Sequence, residues 1–348
     1  MILVVNLNPT LQKTIVLPAF RENEVNRSCG HHLDASGKGV NLVRVVRQLG
    51  GDAELLCHSG GRDRGLFLEL AAADGVRIHG PDSGTPIRYC YTLINRETGG
   101  ATEIIEETLS VGSGPEGSGP EMPGPEGPGP EMPGFHGQGF HGQGSSRSGV
   151  EEQVRREFHR LLPRCGLVVL SGTRAPGYSE DLYRDFTGAA REKGKRVLLD
   201  LQGQDLLRCI PRGPDMIKPN FAEFASTFIT GGAPVGEREE DPELMEKAGR
   251  EAAALSRAGI AVVLTRGPLP ALCALGGEVF LSPPERVEAV NPIGSGDAFA
   301  AGFAVLWEDE GLPAPGSGEF AALFPRALAA GHRAAAANAA NLRPGRIR

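Results

Sequence analysis

The chain contains no close pair of cysteines. Its six, at 29, 57, 90, 165, 209 and 273, stand at least 28 residues apart. No C-x-x-C metal or redox motif and no compact disulfide framework can be built from them, and they read as reduced, mostly buried thiols. No block of lysine and arginine occurs, and the net charge is −7, which removes the electrostatic footprint expected of a nucleic-acid binder. No apolar run approaches 18 residues, no basic leader precedes Ile2–Val5, and Asn6 ends that run, so a cytoplasmic protein without a membrane partner is expected. Asn26-Arg27-Ser28 has the form of a glycosylation acceptor, which has no meaning without a secretory route. The first strand candidate is followed by Asn6 to Thr10 with no glycine fingerprint, which argues against a nicotinamide-dependent dehydrogenase.

At 348 residues, with 40% hydrophobic and 23% charged content, the chain can build one large α/β domain or two ordinary ones. Its 49 glycines and 27 prolines are unevenly spread. Residues 112–149 repeat GPEMPG at 119 and 129 and GFHGQ at 134 and 139. This tract buries too little apolar surface to offset its chain entropy, so a low-complexity insertion over about 110–149 is expected to be disordered. Two G-x-G-x-x-G matches inside it, at Gly112 and Gly137, lack a flanking strand and helix, and His136 and His141 read as a solvated repeat.

Elsewhere short β-branched runs alternate with amphipathic stretches. Strands are predicted at Ile2–Leu7, Glu54–His58, Leu167–Leu170, Arg196–Leu199, Met216–Ile217 and Ala261–Leu264, and helices over 40–49, 64–73, 151–162, 179–193 and 243–257. That alternation predicts a doubly wound, mainly parallel sheet with helices on both faces. Two extended pairs break the rhythm: Thr14–Leu17 with Val25–Leu33, and Arg88–Asn95 with Ala101–Glu106, the second flanking the turn Glu97-Thr98-Gly99-Gly100. They predict a small antiparallel sheet, a lid drawn from about 12–34 and 86–107. In an open α/β sheet ligands lie beyond the carboxyl ends of the strands, where Asp200, Lys218 and Thr265 fall.

Three segments carry chemistry. In Asn291-Pro292-Ile293-Gly294-Ser295-Gly296-Asp297, a helix starting near Ser295 would direct free backbone N–H groups at an anion. Asp297 would stand beside that anion, suited to take a proton from a hydroxyl that attacks a phosphoryl group; an acidic first turn that merely complements the helix dipole has the same pattern. Ser36-Gly37-Lys38-Gly39-Val40-Asn41 joins flexible backbone to one positive charge at a helix start, a phosphate-handling layout that is not a Walker A loop. In Lys218-Pro219-Asn220-Phe221-Ala222-Glu223, Asn220 and Glu223 are three apart on a short helix. Two oxygen-bearing side chains there could order the water shell of Mg²⁺, or they could form a capping box, and spacing alone does not separate these.

With these segments in hand, the chain resembles the PfkB family of carbohydrate kinases of the ribokinase-like fold, nearest to its 1-phosphofructokinase and tagatose-6-phosphate kinase branch. The resemblance runs in order through Asn8-Pro9, Gly37-Lys38-Gly39 with Asn41, Thr102-Glu103-Ile104, Ser171-Gly172-Thr173, Lys218-Pro219-Asn220 with Glu223, and Gly294-Ser295-Gly296-Asp297. It implies ATP and Mg²⁺ as cosubstrates, Asp297 as catalytic base and Gly294, Ser295 and Gly296 as an anion hole. It further implies Asn220 and Glu223 on the metal through water, and Lys38 and Arg88 on phosphate groups. Gln12, Ser36, Gly37 and Asn41 fall on the sugar side, and Lys218, Thr265, Gly267 and Asn338 on the nucleotide side. Two residues depart from the family pattern: Gln12 replaces an aspartate that binds sugar hydroxyls, and Ser36 replaces a glycine. The expected reaction is phosphorylation of a primary hydroxyl of a ketose phosphate, fructose 1-phosphate or tagatose 6-phosphate. A same-fold kinase of an unphosphorylated sugar, polyol or nucleoside and a non-catalytic sugar-binding regulator are the alternatives. An open lid edge would allow a homodimer.

Overall fold

The computed structural model describes residues 1–112, 147–236 and 241–348. The repeat tract, with His136 and His141, lies outside the described residues up to Gln143-Gly144-Ser145-Ser146, and the helix after it already begins at Arg147.

In chain order the elements are β1 (Ile2–Val5), β2 (Thr10–Leu17), β3 (Gly30–Ser36), α1 (Lys38–Gln48), β4 (Ala53–Leu56), α2 (Arg64–Ala73), β5 (Ile78–His79), β6 (Arg88–Asn95), β7 (Gly100–Ile105), α3 (Arg147–Leu161), β8 (Leu167–Ser171) and α4 (Leu182–Glu192). They continue with β9 (Arg196–Asp200), α5 (Gly203–Cys209), β10 (Met216–Ile217), α6 (Phe221–Phe228), α7 (Pro242–Arg257), β11 (Ala261–Arg266), β12 (Leu269–Leu275), β13 (Glu278–Ser282), α8 (Ser295–Asp309) and α9 (Gly318–Ala339).

The main sheet runs β13-β12-β11-β10-β9-β8-β1-β4-β5, parallel from β11 to β5 and antiparallel over β11-β12-β13. Its central strands are buried along their whole length, as a parallel sheet covered on both faces requires. Alternation along β1 divides the core. Ile2 and Val4 join Val43 of α1, Phe303 of α8 and Phe324 of α9 on one face, while Leu3 and Val5 join Phe158 of α3, Phe186 of α4 and Phe221 of α6 on the other. The doubly wound reading is therefore correct, with two antiparallel edge strands added.

The second sheet has the order β3-β2-β6-β7. It is not wholly antiparallel as expected: β2 and β6 pair in parallel, because each strand leaves the main sheet in the same direction. The first hairpin also differs in its bounds. Val25 is 79% exposed in the connecting loop, where Asn26 bonds both the N–H and C=O of Arg21 and Asn23 adopts φ 59°, so no ladder forms before Gly30. Pairing of Thr10 with Ser36 and Arg88 anchors the lid beside the start of α1. Ile104 and Ile105 are exposed on β7, the outermost strand.

Candidate active site at the carboxyl ends of the strands

Gly294 caps α8 in the left-handed region at φ 80°, and a Cβ there would come within 3.2 Å of Gly345 N and Pro344 Cβ, so the turn demands glycine. Among the described residues, the N–H groups of Gly294, Gly296 and Asp297 donate to no protein acceptor. Of the residues expected to form an anion hole, Gly294, Ser295 and Gly296, the Ser295 amide is engaged by Pro292 O at 3.1 Å, so the unpartnered set among the described residues is Gly294, Gly296 and Asp297. Asn338, expected on the adenine side, is bonded to this turn. It is fully buried, donates to Ile293 O (2.9 Å) and Ser295 Oγ (3.0 Å), and accepts from Gly345 N (2.7 Å). Both N–H groups of this amide are spent on the protein, and its oxygen is occupied by Gly345 N.

Asp297 is buried at the third position of α8, with Oδ2 accepting from Asn41 Nδ2 at 2.9 Å. Burial and the nearby Asp200 carboxylate push its pKa up to about 7, against the opposing pull of Lys38, the Asn41 hydrogen bond and Lys218. Its Oδ1 takes no protein hydrogen bond among the described residues. Asn41, expected on the sugar, thus turns its amide to the carboxylate.

Asp200 is the residue at the centre that the sequence reading left off its site set, although it ends β9. Lys38 Nζ approaches its Oδ1 at 3.5 Å and Lys218 Nζ its Oδ2 at 3.4 Å. Lys38 also donates to Glu223 Oε1 at 2.8 Å and keeps 36% of its side chain exposed. Burial alone would lower the Lys38 pKa, but Asp200, Glu223 and Asp297 outweigh it and hold the ammonium charged. Lys218 is buried, and its Nζ lies 3.7 Å from where a Gly296 side chain would begin, so it borders the free amides as well as Asp200. Gly37 at φ 111° brings this lysine turn down onto Asn6, whose Oδ1 would be 2.6 Å from a Cβ.

Asn220 and Glu223 form both bonds of the capping box: Glu223 N donates to Asn220 Oδ1 at 2.7 Å and Asn220 N to Glu223 Oε2 at 2.9 Å. Capping and a metal role are compatible, since each carboxylate oxygen keeps a second lone pair. Thr265 bridges to Asn220, and Gly267 turns the chain from β11 into β12 with open space beside it.

On the lid, Gln12 is buried and donates to Thr92 Oγ1 at 2.7 Å. Arg88 donates to Glu106 O at 3.3 Å, and its buried Nε has no partner, the unsatisfied edge of a planar donor fork. Arg88, Asn8, Thr108 and His58 line a cavity of about 10 Å³, the size of one water. Burial brings the His58 pKa down to about 4, so the ring meeting Tyr178 Oη at 2.8 Å is neutral.

No described helix is long and apolar enough to cross a membrane. Among solved structures, a possible 1-phosphofructokinase from Thermotoga maritima superposes with a TM-score of 0.74 at 20% identity, covering 99% of this chain and 93% of its own. Phosphofructokinase-2 from Escherichia coli gives 0.70 at 19% identity, with 98% and 93% covered. Both share the ribokinase-like fold. Among curated proteins, the 1-phosphofructokinase of Rhodobacter capsulatus is 25% identical over 303 residues, 86% of this chain and 82% of the relative. That of Xanthomonas campestris pv. campestris is 25% identical over 313 residues, 88% and 84%. The pattern of the pfkB family carbohydrate kinases matches residues 147–341, more than half of the chain and the part that contributes Asp200, Lys218, Glu223 and the Gly294–Asp297 turn. With fold, sequence pattern and relatives in agreement, the chain belongs to the pfkB family of carbohydrate kinases, ATP-dependent enzymes that phosphorylate a sugar hydroxyl.

Proposed function

We propose that this kinase phosphorylates a primary hydroxyl of a ketose phosphate, of the fructose 1-phosphate or tagatose 6-phosphate kind, with Asp297 as the general base. The observation that carries the reading is a buried carboxylate with one unengaged oxygen, set beside three unpartnered amides at a helix start. Oδ1 of Asp297 takes the proton of the attacking hydroxyl, while Oδ2 stays on Asn41. A pKa near 7 suits this work, since the group is ionised enough to act and basic enough to accept. The amides of Gly294, Gly296 and Asp297 receive the oxygens of the transferred phosphoryl group, where charge gathers on the equatorial atoms. Lys218 and Lys38 add positive charge on either side.

The residues fit Mg²⁺ held largely through water. Among the described residues no three His, Cys, Asp or Glu side chains converge on one point, as direct chelation would need. Glu223 and Asn220 instead offer side-chain oxygens with lone pairs beyond the capping box, which would hold the water shell of the cation. Bound with ATP, the metal supplies charge neutralisation on the transferring phosphates.

Arg88 supports a phosphorylated acceptor through its unsatisfied guanidinium edge. The second reading, an unphosphorylated sugar, polyol or nucleoside, is favoured by one observation: Gln12 is neutral and already engaged by Thr92. An ADP-release screen over ketose phosphates, free ketoses, polyols and nucleosides decides between them. Highest kcat/KM on a ketose phosphate is expected. Preference for an unphosphorylated acceptor refutes the first reading, and no ADP release with any acceptor refutes both.

A further inference from the structure

We propose that Ser36 and Arg44 are positioning residues for Asp297, acting through the Asn41 amide. The inference rests on Asp297 being the base, and it assigns a task to a side chain, Ser36, that stands where the family carries glycine.

Asn41 lies on the first turns of α1, Arg44 one turn further along. Arg44 is 1% exposed and extends every arm of its fork: Nε donates to Asp74 Oδ2 at 2.7 Å, one terminal nitrogen to both Asn41 Oδ1 (3.0 Å) and Pro344 O (3.1 Å), and the other to Ala35 O. Ser36 Oγ donates to the same Asn41 Oδ1 at 3.1 Å. The two ends of an amide are nearly alike in shape, so a lone asparagine beside a carboxylate can present either its oxygen or its NH₂ group. A guanidinium has no acceptor. Arg44 therefore fixes Oδ1 on its own side, Ser36 adds a second donor there, and Nδ2 is left facing Asp297 Oδ2 at 2.9 Å. Donors on the oxygen also polarise the amide and strengthen what its N–H gives to the carboxylate.

The clamp is held from outside the site. Pro344 O receives Arg44 while the next residue's N–H caps Asn338, which holds Ser295, so residues 344–345 join α1 to the catalytic turn. The charges facing Asp297 are Asp200 from the end of β9, Lys38 from the start of α1 and Lys218 beyond β10, while α9 offers the neutral Asn338 to the same turn. None of these charges is altered by changing Ser36. Arg44→Lys keeps the charge beside Asp74 while removing the fork.

The test reads the proton affinity of Asp297 in the free protein, by the carboxyl-carbon NMR signal of aspartate-labelled enzyme assigned by its loss in Asp297→Asn. It is paired with the pH dependence of kcat in the ADP-release assay. Deleting a hydrogen bond to an ionised group raises an acid's pKa, so Asn41→Leu should move the Asp297 titration upward by about 1–2 pH units, and Ser36→Ala and Arg44→Lys each by about 0.3–1. The acidic limb of kcat should follow, with turnover recovering toward the parent value at high pH. A titration within 0.2 pH unit of the parent in both Ser36→Ala and Arg44→Lys overturns the proposal, as does a loss of kcat equal at every pH. Should Arg44→Lys not fold, Ser36→Ala alone decides. The NMR readout needs no substrate, so the failure of the base assignment, seen as undiminished turnover in Asp297→Asn, is a separate result.

Discussion

Replacing Asp297 by asparagine removes one proton acceptor and one buried negative charge, and the two losses are measurable independently. For the reaction, a positioned general base contributes about 10² to 10⁴ in rate. A fall of that size in kcat corresponds to about 3–5 kcal/mol of transition-state stabilisation. Sugar KM should change by less than about threefold, because Arg88 and the lid are untouched and uniform binding is retained. For stability, the carboxyl group rises from 3.8 when unfolded to about 7 in the fold, driven first by burial and then by Asp200. A raised acid binds its proton more tightly folded than unfolded, so its contribution is full below the unfolded pKa and is lost as pH climbs toward 7; the difference amounts to up to about 4 kcal/mol. Asparagine does not titrate. Relative to the parent, Asp297→Asn should therefore gain stability between pH 4.5 and pH 8, when urea denaturation is measured at both. Full turnover in the variant refutes the base. A variant-to-parent stability difference that is the same at both pH values refutes the account of burial and repulsion.

Arg88→Ala should raise KM for a phosphorylated acceptor by about 10- to 100-fold, the worth of hydrogen bonds to a charged group, with kcat within a few-fold; indifference would support an unphosphorylated substrate. Glu223→Gln keeps an oxygen for Asn220 N, so thermal stability should move little while the Mg²⁺ concentration for half-maximal ADP release rises about tenfold or more; an unchanged Mg²⁺ requirement removes Glu223 from the metal's water shell. Gly294→Ala meets both a left-handed backbone and the Pro344-Gly345 turn, so it should lose at least about 1–2 kcal/mol in urea unfolding along with most of its kcat, and a fully stable, fully active variant would show that the turn tolerates a side chain.

Much of the fold was readable from periodicity. The strands Leu167–Ser171 and Arg196–Asp200 carry the apolar runs Leu167–Leu170 and Val197–Leu199, and the helix Pro242–Arg257 has a buried face at helical spacing, so local pattern and final burial coincide there, whereas Lys38–Gln48 is buried all round from Gly39 to Val46. The strands Leu269–Leu275 and Glu278–Ser282 were missed although Gly276-Gly277, both at positive φ, is a two-residue hairpin signal lying between them. The parallel pairing inside the lid had no local signal at all, since it joins Thr10–Leu17 to a strand about 80 residues away.

The active site divides in the same manner. By itself the sequence determined that a glycine turn leads a carboxylate into a helix, and that lysine- and asparagine-bearing turns follow other strands, because such turns are written in consecutive residues. Only the tertiary structure decided what each polar group faces. It engaged Asn338 and the Ser295 amide with neighbouring protein groups, brought Asp200 between two lysines, and turned Asn41 toward Asp297 under the hold of Ser36 and Arg44. The physical reason is that a hydrogen-bonding group has few partners to give, and which ones it meets depends on segments up to about 300 residues apart packing side by side.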